Sequence, residues 1–189
     1  MPNPYILTGW AWAVVITIWI VTSFTSKRTI RRQSIGSRLA QLCLVLIGAL
    51  LISGKVPGGA LLSWQVIPKS TAAAYVGLML TLTGIGLALW ARFALGKNWS
   101  GTVTLKQDHV LVQSGPYRIV RHPIYSGFLL ALLGTASLHG TANAFFGVAV
   151  IALAFRLKSL TEESFMTEQF GQQYTTYKHA VKALIPFVW

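Results

Sequence analysis

Acidic residues are nearly missing from this sequence: Asp108, Glu162, Glu163 and Glu168 are the only four among 189 residues. Charged residues of both signs make up just 11%, against roughly 25% in an ordinary soluble domain. A chain so poor in charge has no means of covering a water-facing surface of its own. One cysteine, Cys43, excludes an intramolecular disulfide framework and a Cys-rich metal site; set among Leu42, Leu44 and Leu46, it reads as a small apolar filler. The four histidines, at 109, 122, 139 and 179, lack ligand spacing, so no metal is expected. No serine sits in a nucleophile elbow. A glycine-rich nucleotide fingerprint is also missing, which excludes a Rossmann-type cofactor domain.

What is abundant is apolar. Hydrophobic residues make up 53% of the chain, which excludes disorder. The runs Tyr5 to Phe24 and Thr71 to Ala91 carry no charge and have the length that a bilayer core requires. The run Leu39 to Ser53 is shorter and leucine-rich. Ile124 to Leu138 and Ala142 to Phe155 flank a His139-Gly140-Thr141 turn signal and read as a tight helical hairpin. No basic residue precedes the first run and no small-residue cleavage site follows it, so it reads as a retained span rather than a signal peptide. The expected fold is an all-α integral membrane protein of about five transmembrane helices. It forms one domain over 1–189, with three spans in 1–94 and a second half, 95–189, that carries the polar chemistry.

The basic residues decide between membrane and nucleic acid. Sixteen Lys and Arg give a formal charge of +12. With the segment 25–38 on the cytoplasmic side and five spans alternating, 14 of the 16 basic residues fall in cytoplasmic segments, leaving Lys55 and Lys69 outside. The positive-inside rule expects such a split. A nucleic-acid partner is not expected, because no folded soluble face is available to present the charge. The N-terminus is placed outside and the C-terminus in the cytoplasm, in a bacterium across the inner membrane. Small residues at four-residue spacing, Ala73-Gly77-Thr81 and Gly127-Ala131-Thr135, predict close helix packing.

Polar residues concentrate in two places. The segment Gly96 to Gly127 holds Asp108, His109, Arg118, Arg121 and His122, with Gly115-Pro116 marking a turn. Pro123 suits the first position of the fourth span, which sets Arg121 and His122 at a helix N-terminus that favours an anion; snorkelling of the arginines to lipid phosphates is the alternative. The second cluster, KSLTEESFMTEQFGQQYTTY, holds every glutamate. On one helix, Glu163, Met166, Phe170, Tyr174, Tyr177 and Val181 form a single stripe, and Glu162 points about 100° away from it. A carboxylate on such an aromatic face needs a partner: either a ligand or the nearby Lys158 and Arg156. Together the clusters suit a zwitterionic, cationic cofactor, with arginine on its carboxylate, glutamate on an ammonium or ribose, and aromatics on a sulfonium or adenine.

These residues resemble the isoprenylcysteine carboxyl methyltransferase family in its small bacterial and archaeal branch; the same signature is shared more loosely by membrane phospholipid methyltransferases. The resemblance runs from about Leu95 to Pro186. It rests on LGKNWSGTV, on Gly-Pro-Tyr-Arg joined to Arg-His-Pro-x-Tyr-x-Gly, and on Glu-Glu followed by Phe-Gly-x-x-Tyr-x-x-Tyr and Ile185-Pro186; the first three spans match only as hydrophobic helices. It implies S-adenosylmethionine as methyl donor in a cytoplasmic pocket. The implied cofactor-binding residues are Tyr117, Arg121, His122, Pro123, Tyr125, Gly127, Glu162, Glu163, Tyr174 and Tyr177. Two departures stand out: Ala180 near the position of a common arginine, and Met166 in place of leucine after the glutamate pair.

A carboxylate acceptor is ionised at neutral pH and needs no base, so proximity and water exclusion would carry catalysis. Arg92 and Arg156, at span ends, are the candidates to orient it. The expected partners are the bilayer and a lipophilic or prenylated acceptor. An amine acceptor, such as a phospholipid, would instead need a base, His122 or a glutamate. Two other readings stay open: a sterol-reductase-like NADPH enzyme, which shares Arg-His-Pro-x-Tyr-x-Gly but has an acid where Phe128 stands, and a non-enzymatic structural protein.

Overall fold

The computed structural model describes residues 2–23, 29–32, 34–55, 62–96, 99, 104–106 and 111–186, with 29–32 and 104–106 as backbone only. The described residues form six helices: α1 (Pro4–Ser23), α2 (Ile35–Ile52), α3 (Thr71–Leu95), α4 (Pro123–His139), α5 (Ala142–Phe170) and α6 (Gln172–Ala180). Two short strands, β1 (Thr29–Arg32) and β2 (Thr104–Lys106), pair antiparallel and tie the segments that follow α1 and α3. Four helices are long and apolar enough to cross a membrane, and α4 is a shorter apolar helix. The all-helical membrane architecture expected from the apolar runs is the one observed. Lys27, Arg28, Lys97, Asp108 and His109 lie outside the described residues.

Local signals set the helix ends. Ser34 and Ser70 cap α2 and α3, their hydroxyls accepting from the amides of Ser37 at 3.3 Å and Ala73 at 3.1 Å, which satisfies donors that a helix start leaves open. Gly140, at φ 71°, closes α4 in the left-handed conformation that glycine adopts without strain. The helices alternate in direction. At one end, the Tyr5 hydroxyl donates to the Leu138 carbonyl at 3.1 Å and the Tyr75 hydroxyl to that of Pro2 at 3.0 Å. At the other, Arg92 Nη2 donates to the Thr22 carbonyl at 2.7 Å.

The small-residue stripes do what their spacing predicts, and extend further. A Cβ on Gly127 would lie 2.6 Å from the Ala88 nitrogen and 2.7 Å from the Gly84 oxygen, so α3 and α4 touch backbone to backbone. Thr81 lies in this seam, its hydroxyl donating to the Gly77 carbonyl at 2.9 Å. Trp12 fastens α1 to it through an indole hydrogen bond to Thr135 Oγ1 at 3.0 Å. A second seam joins α2 and α5, where a Cβ on Gly147 would lie 2.5 Å from the Gly48 oxygen. Without a hydrophobic force between helices in lipid, this close van der Waals fit is what holds them. Cys43 is exposed on α2, so as a filler it faces lipid rather than a neighbouring helix.

One expectation needs correction. The apolar run ends at Phe155, yet α5 continues to Phe170. Its 29 residues rise roughly 43 Å, about 13 Å more than the hydrocarbon core is thick. The glutamates therefore stand on a helical extension beyond the apolar core. That helix stops at Gly171, whose φ of 52° is open to few other residues. The stripe from Glu163 to Val181 is thus split over α5 and α6, with Tyr174 and Tyr177 still on the buried side.

Candidate functional site

The site is built at the foot of α4. Gly115, at φ 60°, opens a single 3₁₀ turn (Gly115–Arg118), and the chain then bridges to Lys182 at Val120 before His122, the N-cap of α4. The residues after α6 return along this stretch. The Arg121 and His122 amides donate to the Lys182 and Ala183 carbonyls at 2.8 and 3.0 Å, and the Ser126 hydroxyl donates to the Leu184 carbonyl at 2.5 Å. Tyr177 closes the arrangement, its hydroxyl donating to the Tyr117 carbonyl at 2.6 Å; the Tyr117 hydroxyl in turn reaches the Ala91 carbonyl at 3.3 Å.

Here the two polar clusters meet. Glu163, 3% exposed, accepts on one oxygen from Arg121 Nε at 3.1 Å and Nη2 at 2.7 Å. His122 Nε2 lies 3.2 Å from the same oxygen, and Lys178 Nζ lies 3.0 Å from the other. Glu162, one residue earlier and turned to a different side as the helix requires, accepts from the Tyr125 hydroxyl at 2.5 Å and lies 3.4 Å from His122 Nδ1. His122 is thus held between the two carboxylates. Arg121 Nη1 also donates to the Lys178 carbonyl at 3.1 Å and to that of Val181. A buried carboxylate with this many partners is stable; one stripped of them would be costly.

An aromatic stack leads from the ionic cluster toward the helices. The His122 and Tyr125 rings stack at 5.5 Å, and those of Tyr125 and Phe155 at 4.9 Å. Lys158 Nζ lies 5.5 Å above Tyr125, within cation–π range. Burial pulls the His122 imidazole down, but its hydrogen bonds to Glu162 and Glu163 outweigh that and hold it above the usual histidine value. Burial raises the Tyr117 and Tyr174 phenols and pushes Tyr177 up to about 12, so all three stay protonated, and Tyr117 and Tyr177 donate as described.

Of the residues singled out from sequence, Arg121, His122, Tyr125, Glu162 and Glu163 are brought into direct contact. Tyr117 and Tyr177 brace the returning chain, and Tyr174 is buried against Tyr177, with ring centroids 6.0 Å apart. Pro123 starts α4, and Gly127 lies in the α3–α4 seam. Arg92 is 2% exposed; it donates to the Gly96 and Thr22 carbonyls and stacks over Trp99 at 4.2 Å, with its Nε left without a partner. Arg156 is half-buried beside Phe155, with Nη1 3.5 Å from Ser159 Oγ. Sequence reasoning missed Ser126 and the carbonyls of residues 181–184, which no side-chain pattern announces. It gave Lys178 no role in the site, although its position one turn after Tyr174, beside the buried stripe, was a usable signal.

The chain is similar to known proteins in sequence and in fold. The phospholipid methyltransferase family model matches residues 72–173, more than half of the chain. The match begins at the start of α3, so the third span belongs to the resemblance instead of matching only as a hydrophobic helix. Protein-S-isoprenylcysteine O-methyltransferase B of Arabidopsis thaliana is 31% identical over 115 residues, covering 59% of this chain and 58% of that one. The protein-S-isoprenylcysteine O-methyltransferase of Schizosaccharomyces pombe is 35% identical over 96 residues, covering 49% and 41%. The chain therefore spans only about half the length of these curated relatives. The solved structure of a eukaryotic intramembrane Ras methyltransferase, an isoprenylcysteine carboxyl methyltransferase, aligns with a TM-score of 0.52 at 24% identity over 82% of this chain and 54% of that one, which shows a common fold. This integral membrane chain belongs to the phospholipid methyltransferase family.

Proposed function

We propose that the chain is a membrane methyltransferase that takes its methyl group from S-adenosylmethionine and transfers it to a lipophilic carboxylate at the cytoplasmic face. The observation that carries this reading is the convergence of Glu162 and Glu163 on the Arg121-His122-Pro123-x-Tyr125 segment, inside the family-matched residues. The donor set fits such a cofactor: two carboxylates suit an ammonium or ribose hydroxyls, Lys178 suits a carboxylate, and the stacked rings suit a sulfonium or adenine. Glu162, with a quarter of its side chain exposed, and Lys178, with about half exposed, are the groups of the cluster within reach of a ligand. Arg121 and Glu163 hold the α5–α6 corner in place behind them. Pro123 and Gly127 position the helix, Tyr117, Tyr174 and Tyr177 its cover.

Bound there, the cofactor would supply an electrophilic methyl group on a sulfonium. The residues around it need only exclude water and set the approach of the acceptor, because a carboxylate arrives ionised. Arg156, half-buried beside Phe155, and Arg92, with its unpartnered Nε–H, are the proposed orienting groups. Both ring nitrogens of His122 face the glutamates, which leaves neither free to take a proton from an amine and favours an acceptor that needs no base. Methylation of a phospholipid amine is the second reading, favoured by the description of the matching family. The placement of 14 basic residues supports a cytoplasmic site with the N-terminus outside.

The test is incubation of the purified protein in lipid with labelled methyl donor and either a prenylcysteine-type acid or an aminophospholipid, followed by mild base. Release of label from the prenylcysteine product, as from an ester, is the expected result. A base-stable product on the phospholipid would replace the carboxylate reading with the amine one. If S-adenosylhomocysteine neither binds nor stabilises the protein, the cofactor assignment fails.

A further inference from the structure

The end of the bundle opposite the glutamates holds a polar cavity of about 280 Å³ that the proposed chemistry does not use. Four membrane helices and the connection ahead of α3 contribute to it: Tyr5 from the start of α1, Ile52 and Ser53 from the end of α2, Lys69 before α3, His139 from the end of α4 and Asn143 from the start of α5. A cavity ringed by helix ends lies at the level of the lipid headgroups, not in the hydrocarbon.

Its formal charge is one-sided: Lys69 lines it and no Asp or Glu does. Acceptors at the end of α4 are already taken: the Leu138 carbonyl by the Tyr5 hydroxyl, that of His139 by Gln65, and that of Gly140 by the Val66 and Ile67 amides. No Asp or Glu occurs in the connections 53–70 and 139–142, so Lys69 has no carboxylate there to pair with. Lys55 and Lys69 are the two basic residues outside the charge-rich segments, and Lys69 lines this cavity. The N-terminus of the long helix α5 adds partial positive charge, set against the partial negative charge at the ends of α2 and α4. Among the described lining residues, Asn143, 7% exposed, has a buried Oδ1 with no hydrogen-bond partner, a state that costs free energy unless a donor fills it. The cavity thus asks for an anion that also donates a hydrogen bond.

We propose that this cavity binds a phosphate ester bearing a free hydroxyl, as in the phosphoglycerol headgroup of a membrane lipid. Lys69 and the start of α5 hold the phosphate, and Asn143 accepts from the hydroxyl. The inference is independent of the methyltransferase reading.

Native mass spectrometry of the full-length protein with phosphatidylglycerol or phosphatidylcholine at matched concentration tests it. Phosphatidylglycerol is expected to be retained preferentially. Lys69→Ala, a change at an exposed position, lowers its retention about tenfold, as a loss of about 1.4 kcal/mol does. Asn143→Leu removes the preference for a hydroxyl-bearing headgroup. Competition by sn-glycerol 3-phosphate at millimolar concentration would identify a soluble source of the same chemistry; failure to compete identifies the lipid. Equal retention of both lipids, or retention by Lys69→Ala equal to that of the unaltered protein, overturns the proposal.

Discussion

The α3–α4 seam and the cluster at the foot of α4 hold one helix by opposite means. Along the seam, Gly84, Ala88, Gly127 and Ala131 bring two backbones together with no polar partner beyond Thr81 and Thr135. One turn below Gly127, Arg121, His122 and Lys178 surround Glu163. The first region works because nothing is there; the second works because every charge has a counter-charge. Size selects the residues at membrane depth, where lipid offers no hydrogen bonds. Charge selects them where α5 has left the apolar core.

The sharpest way to break this contrast is to enlarge the seam. Gly127→Val puts atoms into the Ala88 backbone, which cannot yield as a side chain tip does, and a loss above about 3 kcal/mol is expected. It is read as the failure to recover monodisperse protein in detergent; a normal yield and melting temperature would show that the helices separate more readily than their contact implies. Next comes Glu163→Ala, which strands the buried Arg121 guanidinium and should cost about 3 kcal/mol as well as binding of S-adenosylhomocysteine. Calorimetric titration beside thermal melting separates the two losses, and intact binding would remove Glu163 from the site.

A smaller effect is a pH dependence confined to the ionic region. The folded pKa of His122 is raised, so its stabilisation is complete below the free imidazole value of about 6.5 and is lost as pH rises through the folded value. Melting temperature should therefore fall as pH rises above about 6.5, and His122→Gln should flatten that slope while leaving the seam untouched. Smallest is Tyr177→Phe, which deprives the Tyr117 carbonyl of its donor at a cost of about 1 kcal/mol. Faster proteolysis after α6 would register it; unchanged cleavage would mean that the Arg121 and His122 amides hold the returning chain by themselves.

The seam was largely legible in the sequence, because helix packing in lipid leaves a periodic trace of small residues, and Gly77, Thr81, Gly127, Ala131 and Thr135 carry that period. The ionic residues were legible as two separate clusters through the rarity of acids. That the clusters bind each other was not, since the pairing joins residues about forty positions apart and depends on the turn at Gly171. The carbonyls of Lys182, Ala183 and Leu184 left no trace at all: backbone acceptors are the same whatever the side chain. The length of α5 was underestimated because hydropathy marks where lipid ends, and helical hydrogen bonding does not stop there.

The brevity of α4 has a consequence in terms of hydrophobic mismatch. Its 17 residues rise roughly 26 Å, a few Å short of the hydrocarbon thickness. The bilayer must thin beside it, or the foot of α4 must sit beneath the headgroup plane. Either adjustment shortens the distance between the acyl-chain region and Arg121, His122 and Tyr125, so an amphiphile anchored in the leaflet meets these side chains without being lifted out of it.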